Sequence, residues 1–195
     1  AKQKGARLIV ADPRKIQIAT MADVYVRQNP GTDAALINGI MHVIMQQGWH
    51  DQAFIEERTE GFEDFKNAVD HYPPEKASEI TGIPAEDIVK IAEYYGNARA
   101  GSIVYCMGIT QHTSGVDNVK SLANLAMLTG NIGKASTGVN PLRGQNNVQG
   151  ACDMGGLPNV YPGYQPVTLT ENQEKFGNAW HAELSDQLGL TIPAM

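Results

Sequence analysis

The residues best equipped for chemistry lie in one run, Arg143-Gly144-Gln145-Asn146-Asn147-Val148-Gln149-Gly150, followed by Ala151-Cys152-Asp153-Met154-Gly155. The run combines glycines, amide side chains and one arginine, with almost nothing apolar to bury. Amides supply both donors and acceptors, so such a loop is equipped to hold something polar. Arg143 is a fixed cation in a neutral, hydrogen-bonding setting. That suits orienting a small anion or stabilising developing negative charge. The same composition also makes a surface Ω-loop whose amides satisfy their own backbone. Composition alone does not choose between the two.

The elements that must position these groups come from periodicity. Arg7-Leu8-Ile9-Val10-Ala11 is a continuous apolar run, which predicts a buried strand. It stops at Asp12-Pro13-Arg14, because proline cannot extend a ladder. Ala22-Asp23-Val24-Tyr25-Val26 reads as a second short strand. Asn29-Pro30-Gly31-Thr32-Asp33 then makes a turn and helix start, with Thr32 or Asp33 as cap or first-turn acid. Leu36, Ile37, Ile40, Met41, Val43 and Ile44 repeat at helical spacing. Residues 49–58 and 62–71 form two shorter amphipathic helices, and Tyr72-Pro73-Pro74 breaks the second. A helical turn over 75–80 and a longer helix through Asn97 follow.

Ser102-Ile103-Val104-Tyr105-Cys106 is another buried-strand run, leading into Met107-Gly108-Ile109-Thr110-Gln111-His112. Residues 116–128 are helical and end at Thr129-Gly130-Asn131. Residues 134–166 show no period, and a structureless stretch that long in a compact domain is usually there to bind something. One weak helix is predicted near 173–184. Strands followed by helices indicate an α/β domain with a mainly parallel sheet.

Composition narrows the function. The chain has 195 residues, 42% hydrophobic and 18% charged, enough for a real core. A net charge of −6 argues against nucleic-acid binding by phosphate neutralisation. Cys106 and Cys152 form no CxxC pair, so no zinc or iron–sulfur site of the chain's own is expected. No apolar run has membrane-spanning length. The abrupt ends, Ala1-Lys2-Gln3 and Pro193-Ala194-Met195, suggest a piece of a longer protein. Neither a P-loop nor a Gly-x-Gly-x-x-Gly fingerprint occurs, so ordinary NTPase and NAD readings lack their phosphate signature.

Both strand ends carry polar, glycine-containing turns, the edge at which ligands bind in open α/β sheets. Asp12 could accept hydrogen bonds from a guanine or a ribose, or simply close an Asp-Pro turn. Gly31-Thr32-Asp33 could cap a helix or read a base, and the two roles are compatible. His112 is a possible acid–base group, but a lone loop histidine more often only hydrogen-bonds. His42 reads as structural, and nothing near Cys152 makes it a nucleophile.

Asp12-Pro13-Arg14-Lys15, the Asn29 to Asp33 turn, Met107-Gly108-Ile109-Thr110-Gln111, Leu128-Thr129-Gly130-Asn131-Ile132-Gly133 and the Pro141 to Gly155 block together resemble the molybdopterin oxidoreductase family. The last block is similar to that of the catalytic subunits of molybdenum- or tungsten-dependent formate dehydrogenases. The resemblance implies a partial three-layer αβα (Rossmann-like) domain over residues 1–140. Residues 141–195 would carry a substrate and cofactor loop and begin the return to a neighbouring domain. It also implies a bis-molybdopterin guanine dinucleotide cofactor with Mo or W. Asp12, Arg14, Gly31 and Asp33 would read one guanosine end. Met107, Gly108 and Gln111 would lie along a pterin or its pyrophosphate, with Gln145 also on the cofactor. Arg143 would stand beside the metal and orient formate.

The implied partners are formate, CO₂ and electron-transfer subunits or carriers. The family's [4Fe–4S] motif and its metal-ligating Cys or selenocysteine are not found among these residues. No metal ligand is therefore assigned here, and the isolated chain is expected to lack formate dehydrogenase activity. The alternative from a different class is a non-catalytic α/β binding or interaction module.

Overall fold

The computed structural model describes residues 1–191 and 194. It divides into two compact units, Ala1–Leu142 and Arg143–Met195. Among the described residues the strands pair in three two-stranded ladders, two of them parallel. The fold is α/β with parallel pairing, as the alternation of strands and helices implies.

In the first unit β1 (Ile9–Ala11) pairs in parallel with β2 (Val24–Val26), Ile9 opposite Val24. Asp23 fixes the start of this register. Its backbone N–H donates to Leu8 O at 2.7 Å, and its Oδ2 accepts from Leu8 N at 2.7 Å. Lys2 Nζ reaches the same oxygen at 2.7 Å, and Arg7 lies 3.4 Å from Oδ1. The Lys2 hydrogen bond, and then the Leu8 amide, hold the Asp23 carboxyl at about 2, below its usual 3.8. A depressed acid contributes stability while it is ionised in both folded and unfolded chains, and loses it as pH falls through the folded value. The stability gap between the wild-type chain and Asp23→Asn should therefore be constant above pH ~4 and shrink between pH ~4 and ~2. Urea midpoints across that range check this, and a gap that widens with acidification contradicts it.

The core forms around α1 (Asp33–Gln46), whose residues Met41, Val43 and Ile44 are almost wholly buried. It packs against α3 (Phe62–Val69), α4 (Pro74–Thr81), α5 (Ala85–Gly96) and α7 (Gly115–Leu128). Such a helix must be apolar on most of its circumference, and this one is. At Gly39 the backbones of α1 and α4 approach so closely that a Cβ there would lie 2.7 Å from Ala77 Cβ. The short helix α2 (Gln52–Arg58) starts at Asp51, whose Oδ1 accepts from Phe54 N at 3.0 Å. Thr81 closes the α4–α5 corner, donating to Ala77 O at 2.7 Å and accepting from Ile83 N at 3.2 Å.

Strand β3 (Ser102–Tyr105) pairs in parallel with β4 (Gly138–Pro141); the single-turn α6 (Met107–Thr110) and α7 form the crossover. The chain predicts a fully buried run here, but β3 buries one face only. Ile103 and Tyr105 pack on the core while Val104 is 59% exposed. In a two-stranded ladder with helices on one side, alternate residues turn to solvent. The Thr129-Gly130-Asn131 block is structural. Asn131 Oδ1 accepts from Gly101 N at 2.8 Å, and its Nδ2 donates to Thr129 Oγ1 at 2.8 Å. This ties the end of α7 to the start of β3.

The second unit corrects the expectation of a structureless stretch over 134–166. Besides β4, which belongs to the first unit, that stretch contains α8 (Val148–Asp153) and an antiparallel hairpin of β5 (Val160–Tyr161) and β6 (Gln165–Pro166). These elements are too short to show a period, and positive φ at Asn147, Gly155, Gly163 and Tyr164 separates them. The weak C-terminal helix is α9, Thr170–Trp180, ended by His181 in the left-handed region rather than running to residue 184. Tyr161, Phe176 and Trp180 cluster with centroids 4.9–6.0 Å apart. Among the described residues no helix is long and apolar enough to cross a membrane.

Candidate functional site

In the first unit the turns after β1 and β2 lie on the carboxyl edge of one ladder. Asp12 N donates to Val26 O at 3.2 Å, and Tyr25 Oη donates to Asp12 O at 3.2 Å. The Asp12 carboxylate accepts from Arg14 N at 2.7 Å, the Asp-Pro turn geometry, and Arg14 itself is exposed. One carboxylate oxygen thus organises the turn.

Asp33 is the opposite case, with only 5% of it exposed, in the first turn of α1. Thr32 is the N-cap and Asp33 the first-turn acid, although Thr32 makes no side-chain capping bond and its Oγ1 donates instead to Asn29 O at 2.7 Å. Gly31, at φ +85°, makes the preceding bend and leaves open space where a side chain would stand. The helix N-terminus favours the Asp33 charge. Its Oδ1 accepts from Gln28 Nε2 at 3.1 Å, while Oδ2 lies 3.9 Å from His112 Nε2. His112 Nε2 is 2.9 Å from Gly108 O and so donates to it. His112 therefore brings the turn after β3 to the turn after β2. Gly108 is open to solvent, Met107 is half-exposed, and Gln111 Nε2 donates weakly to Met107 Sδ at 3.6 Å.

Gln28 was not among the residues singled out by motif. It is 7% exposed, and among the described residues its Oε1 has no hydrogen-bond partner. A signal existed: Val24, Val26 and Gln28 alternate inward at strand period, so an amide occupies an apolar position. Buried acceptors without a donor are costly and mark sites that await one.

In the second unit Arg143 is exposed and paired with an amide. Its Nε and Nη2 donate to Gln149 Oε1 at 3.2 and 2.5 Å. Among the described residues no carboxylate lies within salt-bridge distance of it. Gln145 is exposed, and its carbonyl accepts from Val148 N at 3.5 Å. Gln149 Nε2 donates to Asp153 Oδ1 at 2.9 Å and to Tyr164 Oη at 3.0 Å. The hydrogen bond with the neighbouring Asp153 carboxylate raises the Tyr164 phenol above its ordinary value. Cys106 and Cys152 are free thiols, and among the described residues no cluster of His, Cys, Asp and Glu could hold a metal ion.

The chain is 55% identical over its whole length to F420-dependent formate dehydrogenase 1 subunit alpha of Methanococcus maripaludis, of which it covers 29%. It is 51% identical over 183 residues to formate dehydrogenase H of Escherichia coli, covering 94% of this chain and 26% of that protein. Among solved structures, acetylene hydratase from Pelobacter acetylenicus superposes with a TM-score of 0.67 at 32% identity, covering 69% of this chain and 19% of the other. The chain thus spans under a third of the length of these relatives. The sequence profile of the molybdopterin oxidoreductases matches residues 1–189, so both the acidic turn at Asp33 and the arginine loop lie inside a match that makes this chain a member of the molybdopterin oxidoreductase family.

Proposed function

We propose that the full-length protein containing this chain oxidises formate to CO₂, reversibly, with Arg143 as the group that orients formate. The observation that carries this reading is the state of Arg143. It is held on one side by a neutral amide, and among the described residues no carboxylate lies within salt-bridge distance to cancel its charge. A fixed, uncompensated guanidinium matches a small carboxylate. The high identity to two proteins named formate dehydrogenases supports the choice of anion. The fold alone would not, since acetylene hydratase shares it.

The cofactor we propose is a bis-molybdopterin guanine dinucleotide carrying Mo or W. When bound, it supplies the redox chemistry, accepting the two electrons released as formate gives CO₂ and a proton. This chain's part is recognition. The buried Asp33 carboxylate, with Gln28 beside it whose Oε1 has no donor among the described residues, supplies acceptors suited to a base edge rich in N–H donors, as guanine's is. Gly31, Asp12 and Arg14 line the same guanosine end, Met107, Gly108 and Gln111 serve a pterin or its pyrophosphate, and Gln145 is also assigned to the cofactor. The [4Fe–4S] cluster and the electron-transfer subunits or carriers belong to the same proposal, with no residue of this chain assigned to them.

Acid treatment of the metal-loaded full-length protein should release about two guanosine monophosphates per metal atom. Asp33→Leu should retain less nucleotide than the wild type. Release of a cytidine nucleotide, or unchanged retention in Asp33→Leu, rejects the guanine assignment.

A further inference from the structure

Gln149 uses every hydrogen-bonding position of its amide in one orientation. Its oxygen receives two guanidinium N–H groups from Arg143, and its nitrogen donates to Asp153 and Tyr164. Gln149 and Asp153 share a face of α8 one turn apart, and Tyr164 arrives from the β5–β6 turn in the left-handed region at φ +57°. Rotating the amide by half a turn would set its NH₂ against the guanidinium and its oxygen against the Asp153 carboxylate. Both contacts would repel, so Arg143 and Asp153 fix the polarity of the amide, and Tyr164 takes its remaining N–H.

The consequence for Arg143 is geometric. A guanidinium has two hydrogen-bonding forks, one along Nε and Nη2 and one across Nη1 and Nη2. Gln149 occupies the first. Among the described residues nothing bonds the second, and its two parallel N–H groups match the two oxygens of a carboxylate. A neutral holder matters here. A carboxylate at position 149 would bind the guanidinium as tightly but would cancel the charge that a substrate anion needs.

Building on the formate reading above, we propose that Gln149 is a positioning residue. It aims the Nη1/Nη2 fork of Arg143 at the substrate carboxylate, and Asp153 and Tyr164 hold its amide nitrogen.

The test uses the full-length enzyme, with metal content measured for every variant and formate-dependent dye reduction as the assay. Gln149→Leu should raise KM for formate about tenfold, with kcat changing less than about threefold, because orientation of the bound anion is lost while the cation remains. Gln149→Glu should raise KM further. In an Arg143→Lys background Gln149→Leu should add less than about twofold, because an ammonium has no Nε/Nη2 fork to hold. A packing role would weaken both backgrounds equally.

If Gln149→Leu fails to load metal, Tyr164→Phe reads the same network with the ring retained, and KM should rise about two- to threefold. A wild type that oxidises formate, together with an unchanged KM in the variant that loads, overturns the positioning role and leaves the formate reading intact. A loaded wild type that does not oxidise formate overturns both.

Discussion

Arg143→Ala in the full-length protein is expected to lower kcat/KM for formate about a thousandfold, at unchanged metal content. Formate offers an enzyme almost nothing but its charge. It is too small for a shape-selective pocket, so the loss of a fixed cation removes most of what can hold and orient it. A single preorganised donor at a reacting oxygen contributes about 10²–10³ in rate, and a bidentate charged pair lies at the upper end. Arg143→Lys should recover part of this and remain about a hundredfold impaired, because a lysine offers a point charge without a planar fork. The open face of Arg143, with Gln149 on its other side, is the structural reason for expecting so steep a loss. Formate-dependent dye reduction measures it. A kcat/KM within about tenfold of wild type in Arg143→Ala would falsify the clamp assignment.

Gly39→Leu should lower the unfolding free energy by about 3 kcal/mol, the largest stability effect expected in this chain. Gly39 sits in the middle of α1, where glycine ordinarily weakens a helix by about 1 kcal/mol relative to alanine. It is tolerated because α1 and α4 touch there: a Cβ would meet Ala77 Cβ at 2.7 Å and Ile88 Cγ2 at 3.5 Å. Any larger side chain must push the two helices apart and open the core around Met41 and Ile44. The double change Gly39→Ala with Ala77→Gly moves the methyl from one helix to the other. It should return stability to within about 1 kcal/mol of wild type, since the helix-propensity terms nearly cancel. Urea unfolding of the three chains checks this. A Gly39→Leu chain as stable as wild type would show that the contact is slack.

Legibility in the sequence followed the length of each signal. α1, α5 and α7 declare themselves through apolar residues at helical spacing, and β1 and β3 through short apolar runs. α8, β5 and β6 are two to six residues long, shorter than one clear period of anything, and their boundaries are set by backbone conformations at Asn147 and Tyr164. Among the site residues, Arg143 is conspicuous because a lone charge in an amide-rich loop has few structural uses. Gln149 stands in the same run but shows its role only when Asp153 and Tyr164 are seen to hold its other end. His112 looked like an ordinary loop histidine. Its approach to Asp33 links turns from two different ladders, which no local pattern encodes. Thr129-Gly130-Asn131, quoted among the family motifs, serves the junction between α7 and β3.

Gln28 carries a final consequence. Its Oε1 is shut away from solvent and among the described residues nothing donates to it, and a buried acceptor without a donor weakens a fold. Whatever donates to that oxygen binds the native state and not the unfolded one, so its binding free energy is added to folding free energy. Under the guanosine reading, binding at this corner and folding of the first unit are a single linked equilibrium.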